Sequence, residues 1–199
     1  LHKAIRRQRQ MCIRDRSTTI PYKRGQIQDA NGTVLAYSER VYNLILDPKL
    51  ILSDEKYKEP TLTALTECFD LKRSDLESIL ATKSTSQYEK LLKELTKDEI
   101  SEFESRVDDT KNNPYIKGVW FEDSYIRKYP FSTLAADVIG FASAANGGEL
   151  GLENYYDEEL SGTDGISYSY VGENLDVETQ EKKAEDGYNL VTTIDLSLI

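Results

Sequence analysis

The sequence contains very little histidine or cysteine. His2 is the single histidine, and Cys12 and Cys68 are the two cysteines among 199 residues. These residue types supply most zinc and transition-metal ligands in proteins, and no cluster here has metal-ligand spacing. We therefore predict no metal site, no cofactor and no catalysis that depends on histidine.

Excess positive charge and long apolar runs are also missing. The chain has 25 Lys and Arg residues against 35 Asp and Glu residues, a formal net charge of -10. This balance argues against a nucleic-acid partner, whose phosphates attract basic surfaces. No run of 18 apolar residues occurs, so the sequence as given predicts no membrane-spanning helix.

The first 17 residues differ in composition from the rest. Residues 1–16 contain six Lys or Arg residues and one Asp, within a chain that is otherwise acidic. The stretch RQRQMCIRDR resembles translated sequencing-adapter sequence, and the alternative is a basic juxtamembrane segment. We expect residues 1–17 to be a basic tail of uncertain native origin and assign no function to it.

Turn and alternation signals predict strands towards both ends of the chain. Asn31-Gly32 is typical of a two-residue hairpin turn, because both positions accept positive φ. Tyrosine and β-branched residues alternate over residues 41–46, and the strand is expected to end before Pro48. Further strands are predicted in GVWFEDSYIRKYP, ISYSYVG and YNLVTTID.

Between these strands, residues 54–109 have the apolar spacing of amphipathic helices, one of them through Leu91, Leu92 and Leu95. Three capping boxes are predicted to start helices: Ser74 with Glu77, Ser86 with Glu89, and Thr96 with Glu99. Because the strand pattern returns after this segment, we predict an α+β fold, strand-rich with an inserted helical subdomain.

A further helix is predicted over residues 132–143, STLAADVIGFAS. Leu134, Val138 and Phe141 have helical spacing, so we expect them to form its buried stripe.

Two patterns resemble catalytic motifs. Ser53 and Lys56 form an S-x-x-K, the nucleophile motif of penicillin-recognising serine enzymes. The S-x-N and K-T-G motifs that this chemistry also needs do not occur in the sequence, so Ser53 is expected to be a helix N-cap. Acidic residues are concentrated over 149–159, and paired carboxylates can hydrolyse glycosides. A solvated acidic face is the expected arrangement, with Glu153 as the exception, because it lies between Leu152 and Tyr156 and close after Gly151.

Three blocks occur in a specific order: RGQIQDANGTVLA (24–36), RKYPFSTLAADVIGF (127–141) and GELGLENYYDEELSGTDG (148–165). Together they resemble the N-terminal non-catalytic region of class B penicillin-binding proteins, called the dimerisation or pedestal domain. The resemblance covers about residues 20–195. It departs from the family pattern at Ala30, where an arginine is usual, and at Ser132, where a glycine is frequent.

The resemblance implies a domain organisation. Residues 18–50 and 113–195 would form the pedestal, and residues 51–112 its inserted helical head. Residues 196–199 would begin the link to a transpeptidase domain, whose catalytic serine lies outside this sequence.

The resemblance also implies a function. This region would be non-catalytic and would position a D,D-transpeptidase for peptidoglycan crosslinking on the outer face of the cell membrane. An upstream single helix would be the anchor, and a polytopic glycosyltransferase or a morphogenesis scaffold would be the partner. The alternatives are a free-standing extracellular interaction module and a carboxylate-based glycoside hydrolase. The elongation, division and sporulation paralogues are not distinguished.

The charged residues beside glycines in these blocks suggest a structural joint. We predict a polar network in which Arg24 pairs with Glu153, and Asp29 and Arg127 contribute. Such a partly buried ion pair requires close backbone approach and fixes register. The motif glycines expected to permit this approach are Gly25, Gly32, Gly148, Gly151, Gly162 and Gly165.

Overall fold

The structure, a computed structural model, describes residues 16–131, 136–143, 147–171 and 177–195. Helices and strands are mixed along the chain, so the predicted α+β class is confirmed. The chain divides into two compact units, Arg40–Ser124 and the remainder before and after it. Strands β3 (Val34–Leu46) and β5 (Val119–Lys128) pair with each other, and each has residues in both units.

The unit Arg40–Ser124, which we call the helical unit, packs four helices against strands. The helices are α1 (Pro48–Ile51), α2 (Glu55–Phe69), α3 (Arg73–Thr82) and α4 (Lys97–Asp108). Strand β4 (Glu89–Leu95) is antiparallel to the second half of β3. The core includes Leu46, Leu62, Leu65 and Phe103, all buried.

Side-chain caps begin three of these helices. Asp47 accepts from the amide of Leu50, and Asp54 accepts from the amide of Lys56. Thr96 and Glu99 form the predicted capping box. Each cap satisfies amides that a helix start leaves without an intrahelical partner.

The other two predicted capping boxes are wrong. Helix α3 begins at Arg73 with no side-chain cap at Lys72, and Ser74 lies inside it. Residues 89–95 form strand β4, so the predicted helix through Leu91 and Leu95 is also wrong. The apolar spacing of this short segment is helical and does not fit an unbroken period of two, but pairing with β3, which includes register shifts, makes it a strand.

The remaining residues form the second unit, which we call the strand unit. A three-stranded antiparallel sheet has the order β1 (Arg16–Ile20), β8 (Gly165–Val171), β9 (Val177–Lys182). A second set places β10 (Leu190–Val191) parallel to β2 (Ile27–Gln28), which pairs antiparallel with the start of β3.

The rest of this unit consists of short elements: α5 (Ala136–Ile139), β6 (Ala142–Ser143), β7 (Gly147–Gly148), α6 (Gly151–Tyr155) and α7 (Asp157–Leu160). Strands β6 and β7 pair antiparallel. A small core joins β2, β3, α5 and α7 through five buried residues: Ile27, Leu35, Ala36, Ile139 and Leu160.

A hairpin turn forms here, but the predicted two-residue turn at Asn31-Gly32 is wrong, because Gly32 has positive φ and Asn31 does not. The amide of Gly32 donates to the carbonyl of Asp29 at 3.2 Å, so Ala30 and Asn31 are the central residues of the turn. Gly32 has φ 84°, and the amide of Asp29 donates to the carbonyl of Thr33 at 2.9 Å. The predicted buried stripe over residues 132–143 is wrong for Val138 and Phe141, which are exposed. Leu134 and Ser132 lie outside the described residues.

The basic tail before Arg16 and residues 196–199 also lie outside the described residues. Within the described ranges, none of the helices combines the length and apolar character needed to cross a membrane. The boundaries proposed for the inserted head, residues 51–112, stay a prediction.

Candidate functional site

The candidate site lies in the strand unit and is centred on Glu153. This residue is on the short helix α6, and its side chain is fully buried. Helix α6 begins at Gly151, whose φ of 61° suits glycine, and an added Cβ there would lie 2.4 Å from the carbonyl oxygen of Val138. Close packing of α6 against the end of α5 therefore places Glu153 inside the unit.

Two arginines bind the Glu153 carboxylate from different segments. Arg24 Nε donates to Oε2 at 2.8 Å, and Arg127 Nε donates to Oε1 at 2.8 Å. Arg24 Nη2 also donates to the backbone carbonyl of Glu153 at 2.9 Å. Only 9% of the Arg24 side chain and 6% of the Arg127 side chain are exposed. The three predicted charges therefore form one buried network.

Arg24 contacts a second carboxylate. Its Nη1 lies 2.7 Å from Asp157 Oδ1 and 2.7 Å from Ser161 Oγ. Burial works to lower the pKa of Arg24, but the hydrogen bonds to Glu153 and Asp157 outweigh it and raise the pKa above its usual value. Arg24 is therefore firmly held as a cation.

Asp157 also accepts a hydrogen bond from the amide of Gly148 at 2.7 Å. Burial works to raise the pKa of Asp157, but this amide and the Arg24 guanidinium together keep the pKa below its usual value. The carboxylate thus links α7 to β7 and to the loop that carries Arg24.

Arg127 and Ser38 link this cluster to the backbone of Arg24. Ser38 Oγ donates to the Arg24 carbonyl oxygen at 3.2 Å, and Arg127 Nη1 lies 3.2 Å from Ser38 Oγ. Among the described residues, the buried Nη2 of Arg127 has no hydrogen-bond partner. A buried donor of this kind is usually satisfied by water.

Tyr129 completes the contacts of Glu153. Its hydroxyl accepts from the amide of Ala142 at 2.8 Å and donates to Glu153 Oε1 at 3.3 Å. Burial, and next the nearby negative charge of Glu153, raise the pKa of Tyr129. The phenol therefore stays neutral and ties the start of β6 to the network.

Asp29, the fourth predicted residue, is buried in the β2–β3 turn. Its Oδ1 accepts from the amides of Asn31 at 2.8 Å and Thr33 at 2.7 Å. These bonds shape the hairpin that follows Arg24. Its membership of the network around Glu153 stays a prediction.

The predicted glycines include several points of very close backbone approach. A Cβ on Gly25 would lie 1.8 Å from the carbonyl oxygen of Tyr188, and one on Gly148 would lie 1.9 Å from that of Glu153. An added Cβ on Gly162 or Gly165 would be similarly close to backbone atoms of another segment. A Cβ on Gly32, which is a turn residue, would have no atom within 4 Å.

Sequence reasoning missed Asp157, Ser161, Ser38 and Tyr129. Asp157 was expected on a solvated acidic face, and this is wrong, because it pairs with Arg24 while 62% of its side chain is covered. Its position four residues after Glu153 was an available signal, since that spacing places both on one side of a helical turn. Glu158 and Glu159 are exposed, as expected for that face.

The network around Glu153 has a structural role. Both oxygens of Glu153 are engaged by guanidinium groups, and the residue is fully buried, so it faces no substrate cleft.

Ser53 of the S-x-x-K pattern also has a structural contact, because its Oγ donates to the Leu50 carbonyl at 2.6 Å. The N-cap predicted at Ser53 is instead Asp54. The described residues contain no His, Cys, Asp or Glu group suited to a metal ion.

Acid should weaken the strand unit partly through Asp157. Because its folded-state pKa is below the usual 3.8, its stabilisation is present above that value and is lost as the pH falls through the folded-state pKa. We expect wild type to lose more unfolding free energy than Asp157→Asn between about pH 6 and about pH 3. Urea titrations at both pH values measure this, with Glu158→Gln as the control. Equal losses in wild type and Asp157→Asn would contradict the assignment.

Comparisons with known proteins all point to one family. The family model described as penicillin-binding protein dimerisation domain matches residues 19–192. The peptidoglycan D,D-transpeptidase FtsI of Buchnera aphidicola is 29% identical over 156 residues, which cover 77% of this chain and 26% of that protein. The chain spans 26–28% of the lengths of the first three curated relatives.

Two solved structures share the fold. Penicillin-binding protein 2X of Streptococcus thermophilus aligns with a TM-score of 0.70 and 24% identity, over 92% of this chain and 30% of that one. The penicillin-binding protein PBP2 of Helicobacter pylori, solved in complex with MreC, aligns with a TM-score of 0.58 and 19% identity, over 89% and 35%. With the match over residues 19–192, these findings identify the chain as a member of the penicillin-binding protein dimerisation domain family.

Proposed function

We propose that this chain is the non-catalytic pedestal of a class B penicillin-binding protein and positions a D,D-transpeptidase domain for peptidoglycan crosslinking. The observation that carries the proposal is the network around Glu153. It connects residues from all three family blocks, namely Arg24, Arg127 and Glu153 with Asp157, inside one unit. A pedestal needs such internal rigidity to hold another domain at a fixed place.

The buried charged contacts around Glu153 suit a positioning role better than a purely stabilising one. A buried ion pair adds little net stability, because desolvation offsets its attraction, but it strongly penalises arrangements that separate the partners. Arg24 contacts α6, α7 and Ser161 at once, so a slip of the loop before β2 would break several charged contacts together. The network thus fixes one arrangement of the strand unit.

We further propose that the parent protein is anchored in the cell membrane by an upstream helix and works on its outer face. The helical unit would contact a partner such as a polytopic glycosyltransferase or a morphogenesis scaffold. Supporting this, the related Helicobacter pylori protein was solved in complex with MreC. Tyr88 and Tyr115 of the helical unit are about half exposed and available to a partner.

Penicillin labelling of the parent protein tests the proposal. A catalytic serine would open the β-lactam ring, with its oxygen bonding to the carbonyl carbon, the C–N bond breaking and the nitrogen taking a proton. We expect sequencing beyond residue 199 to reveal S-x-x-K, S-x-N and K-T-G motifs. We expect a fluorescent penicillin to label the parent covalently and to leave the 199-residue chain unlabelled.

The absence of these motifs and of the label would contradict the proposal. A parent that lacks the motifs and takes no label is not a transpeptidase. The chain would then be a free-standing extracellular interaction module, which is the second candidate. The carboxylate hydrolase is not retained, since Glu153 is closed off by Arg24 and Arg127.

A further inference from the structure

Two segments of the strand unit, which we call the entry and exit segments, run side by side in the same direction. The entry segment, residues 22–31, leads into β3, and the exit segment, residues 186–195, contains β10. Their central strands, β2 and β10, are parallel, with Ile27 opposite Leu190 and Gln28 opposite Val191. Parallel pairing places the start of one segment beside the start of the other.

Backbone hydrogen bonds join the two segments well beyond the paired residues of β2 and β10. These bonds are 2.8–3.0 Å long and run from the amides of Gly187, Leu190 and Thr192 to the carbonyls of Lys23, Gln26 and Gln28, and from the Ala30 amide to the Ile194 carbonyl. The contact between the segments is therefore much longer than either strand.

Side chains of the exit segment extend this contact at both ends. Asp186 and Asn189 each accept a backbone amide of the entry segment through Oδ1, at 2.9 Å and 2.8 Å. At the other end, Asn31 Nδ2 donates to Asp195 Oδ1 at 2.9 Å. The partners in these bonds are 163 or 164 positions apart, so the two segments keep nearly the same register along their length.

This parallel arrangement determines how the two segments respond to tension. A pull that enters before residue 22 and a pull that leaves after residue 195 act in opposite directions along the two segments. The segments would have to slide past each other lengthwise, so the bonds between them are loaded together and not one after another. The load also passes directly from one segment to the other, so residues 32–185 do not lie in its path.

We propose that the entry and exit segments form a mechanical clamp, which carries tension between the parts of the polypeptide before and after the strand unit. This inference rests on the proposed function, which supplies the tension. A membrane anchor would hold one end, and a transpeptidase domain would hold the other while its serine oxygen is bonded to the carbonyl carbon of a stem peptide, the displaced amine having left with the serine proton. The protein would then link membrane and cell wall covalently, and the clamp would keep the helical unit folded under that tension.

Constant-force measurements on the 199-residue chain in two pulling geometries test the clamp. Handles at residues 1 and 199 load the segments lengthwise. A handle on Ala30→azidophenylalanine, an exposed position near the end of the entry segment, combined with one at residue 199 peels the exit segment from residue 195 backwards. We expect unfolding by peeling at a force about threefold lower, because the bonds then break one at a time.

Asn189→Ala tests whether the effect depends on direction. It removes the acceptor of the Gln26 amide, and the loss of one hydrogen bond should shorten the lifetime under lengthwise load about fivefold. The lifetime under peeling should stay unchanged, because the bonds at Asp195 and Thr192 are broken first. Asp54→Ala is the matched control and should change neither lifetime, because its carboxylate also accepts a backbone amide but lies in the helical unit, outside the load path.

Three results would overturn the clamp. Equal unfolding forces in the two geometries would show that the segments do not act in shear. An equal effect of Asn189→Ala in both geometries would indicate a general loss of stability, and no effect under lengthwise load would place the load-bearing contact elsewhere, such as the pairing of β1 with β8. Penicillin labelling of the parent separates the two proposals, because a failed clamp leaves the proposed function standing, whereas an unlabelled parent refutes the proposed function.

Discussion

Replacing Glu153 with glutamine is expected to reduce the free energy of unfolding by about 3–5 kcal/mol, the cost of removing one partner from a buried ion pair. Glutamine has nearly the same shape, so the effect would come from the charge. The Arg24 and Arg127 side chains are both more than nine-tenths covered, and both would lose their shared carboxylate. Asp157 would remain near Arg24, while Arg127 would keep only neutral acceptors.

Urea unfolding followed by circular dichroism at pH 7 measures this effect. Glu158→Gln is the matched control, because it removes the same charge five residues later from an exposed position. Exposed charges are worth about 0–1 kcal/mol, so the control should stay within that range. If Glu153→Gln and Glu158→Gln lost the same small amount, the network would not be the joint that we describe.

A second variant separates charge from packing at the same place. Replacing Arg24 and Glu153 together by apolar residues of similar volume removes both members of a pair, which often restores stability. Arg127 would then lack its carboxylate and Asp157 would lack Arg24, so the double variant should recover only part of the loss caused by Glu153→Gln. Complete recovery would mean that neither the Arg127 pair nor the Asp157 pair contributes to stability.

The sequence was informative where local chemistry decides the structure. Gly32 supplies the positive φ of the hairpin turn after Asn31, and Thr96 with Glu99 specifies a helix start through a reciprocal pair of hydrogen bonds. Arg24, Arg127 and Glu153 were named because three blocks of a known family were recognised together. The structure places all three in contact, with both glutamate oxygens engaged.

Tertiary pairing decided the features that the sequence did not reveal. The residues of β4, EKLLKEL, are good helix formers, but pairing of Leu92 and Leu95 with β3 makes them a strand. Asp157 lies among exposed acids, and its contacts with Arg24 and the Gly148 amide, which come from distant segments, distinguish it from them. Val138 and Phe141 have helical spacing, but helix α5 ends at Ile139, so Phe141 lies outside it and the two side chains do not form one buried stripe.

Gly25→Ala is expected to destabilise the protein by about 3 kcal/mol, towards the upper end of the range for overpacking. An added Cβ would lie 1.8 Å from the carbonyl oxygen of Tyr188 and 2.5 Å from its carbonyl carbon. These are backbone atoms, so relief requires one segment to move. That movement would strain the bond from the Gly25 amide to the Leu160 carbonyl, which is 2.8 Å long. It would also pull the adjacent Arg24 away from Glu153.

Gly32 provides the control, because it tests conformation without crowding. No atom lies within 4 Å of a Cβ at Gly32, but its φ of 84° makes alanine cost about 1–2 kcal/mol. Asparagine accepts positive φ more readily, so Gly32→Asn should recover much of the loss caused by Gly32→Ala. Gly25→Asn should recover nothing relative to Gly25→Ala, because the defect at Gly25 is lack of space. Urea unfolding of the four variants distinguishes the cases, and recovery with Gly25→Asn would mean that backbone conformation, not close approach to Tyr188, requires glycine in the first family block.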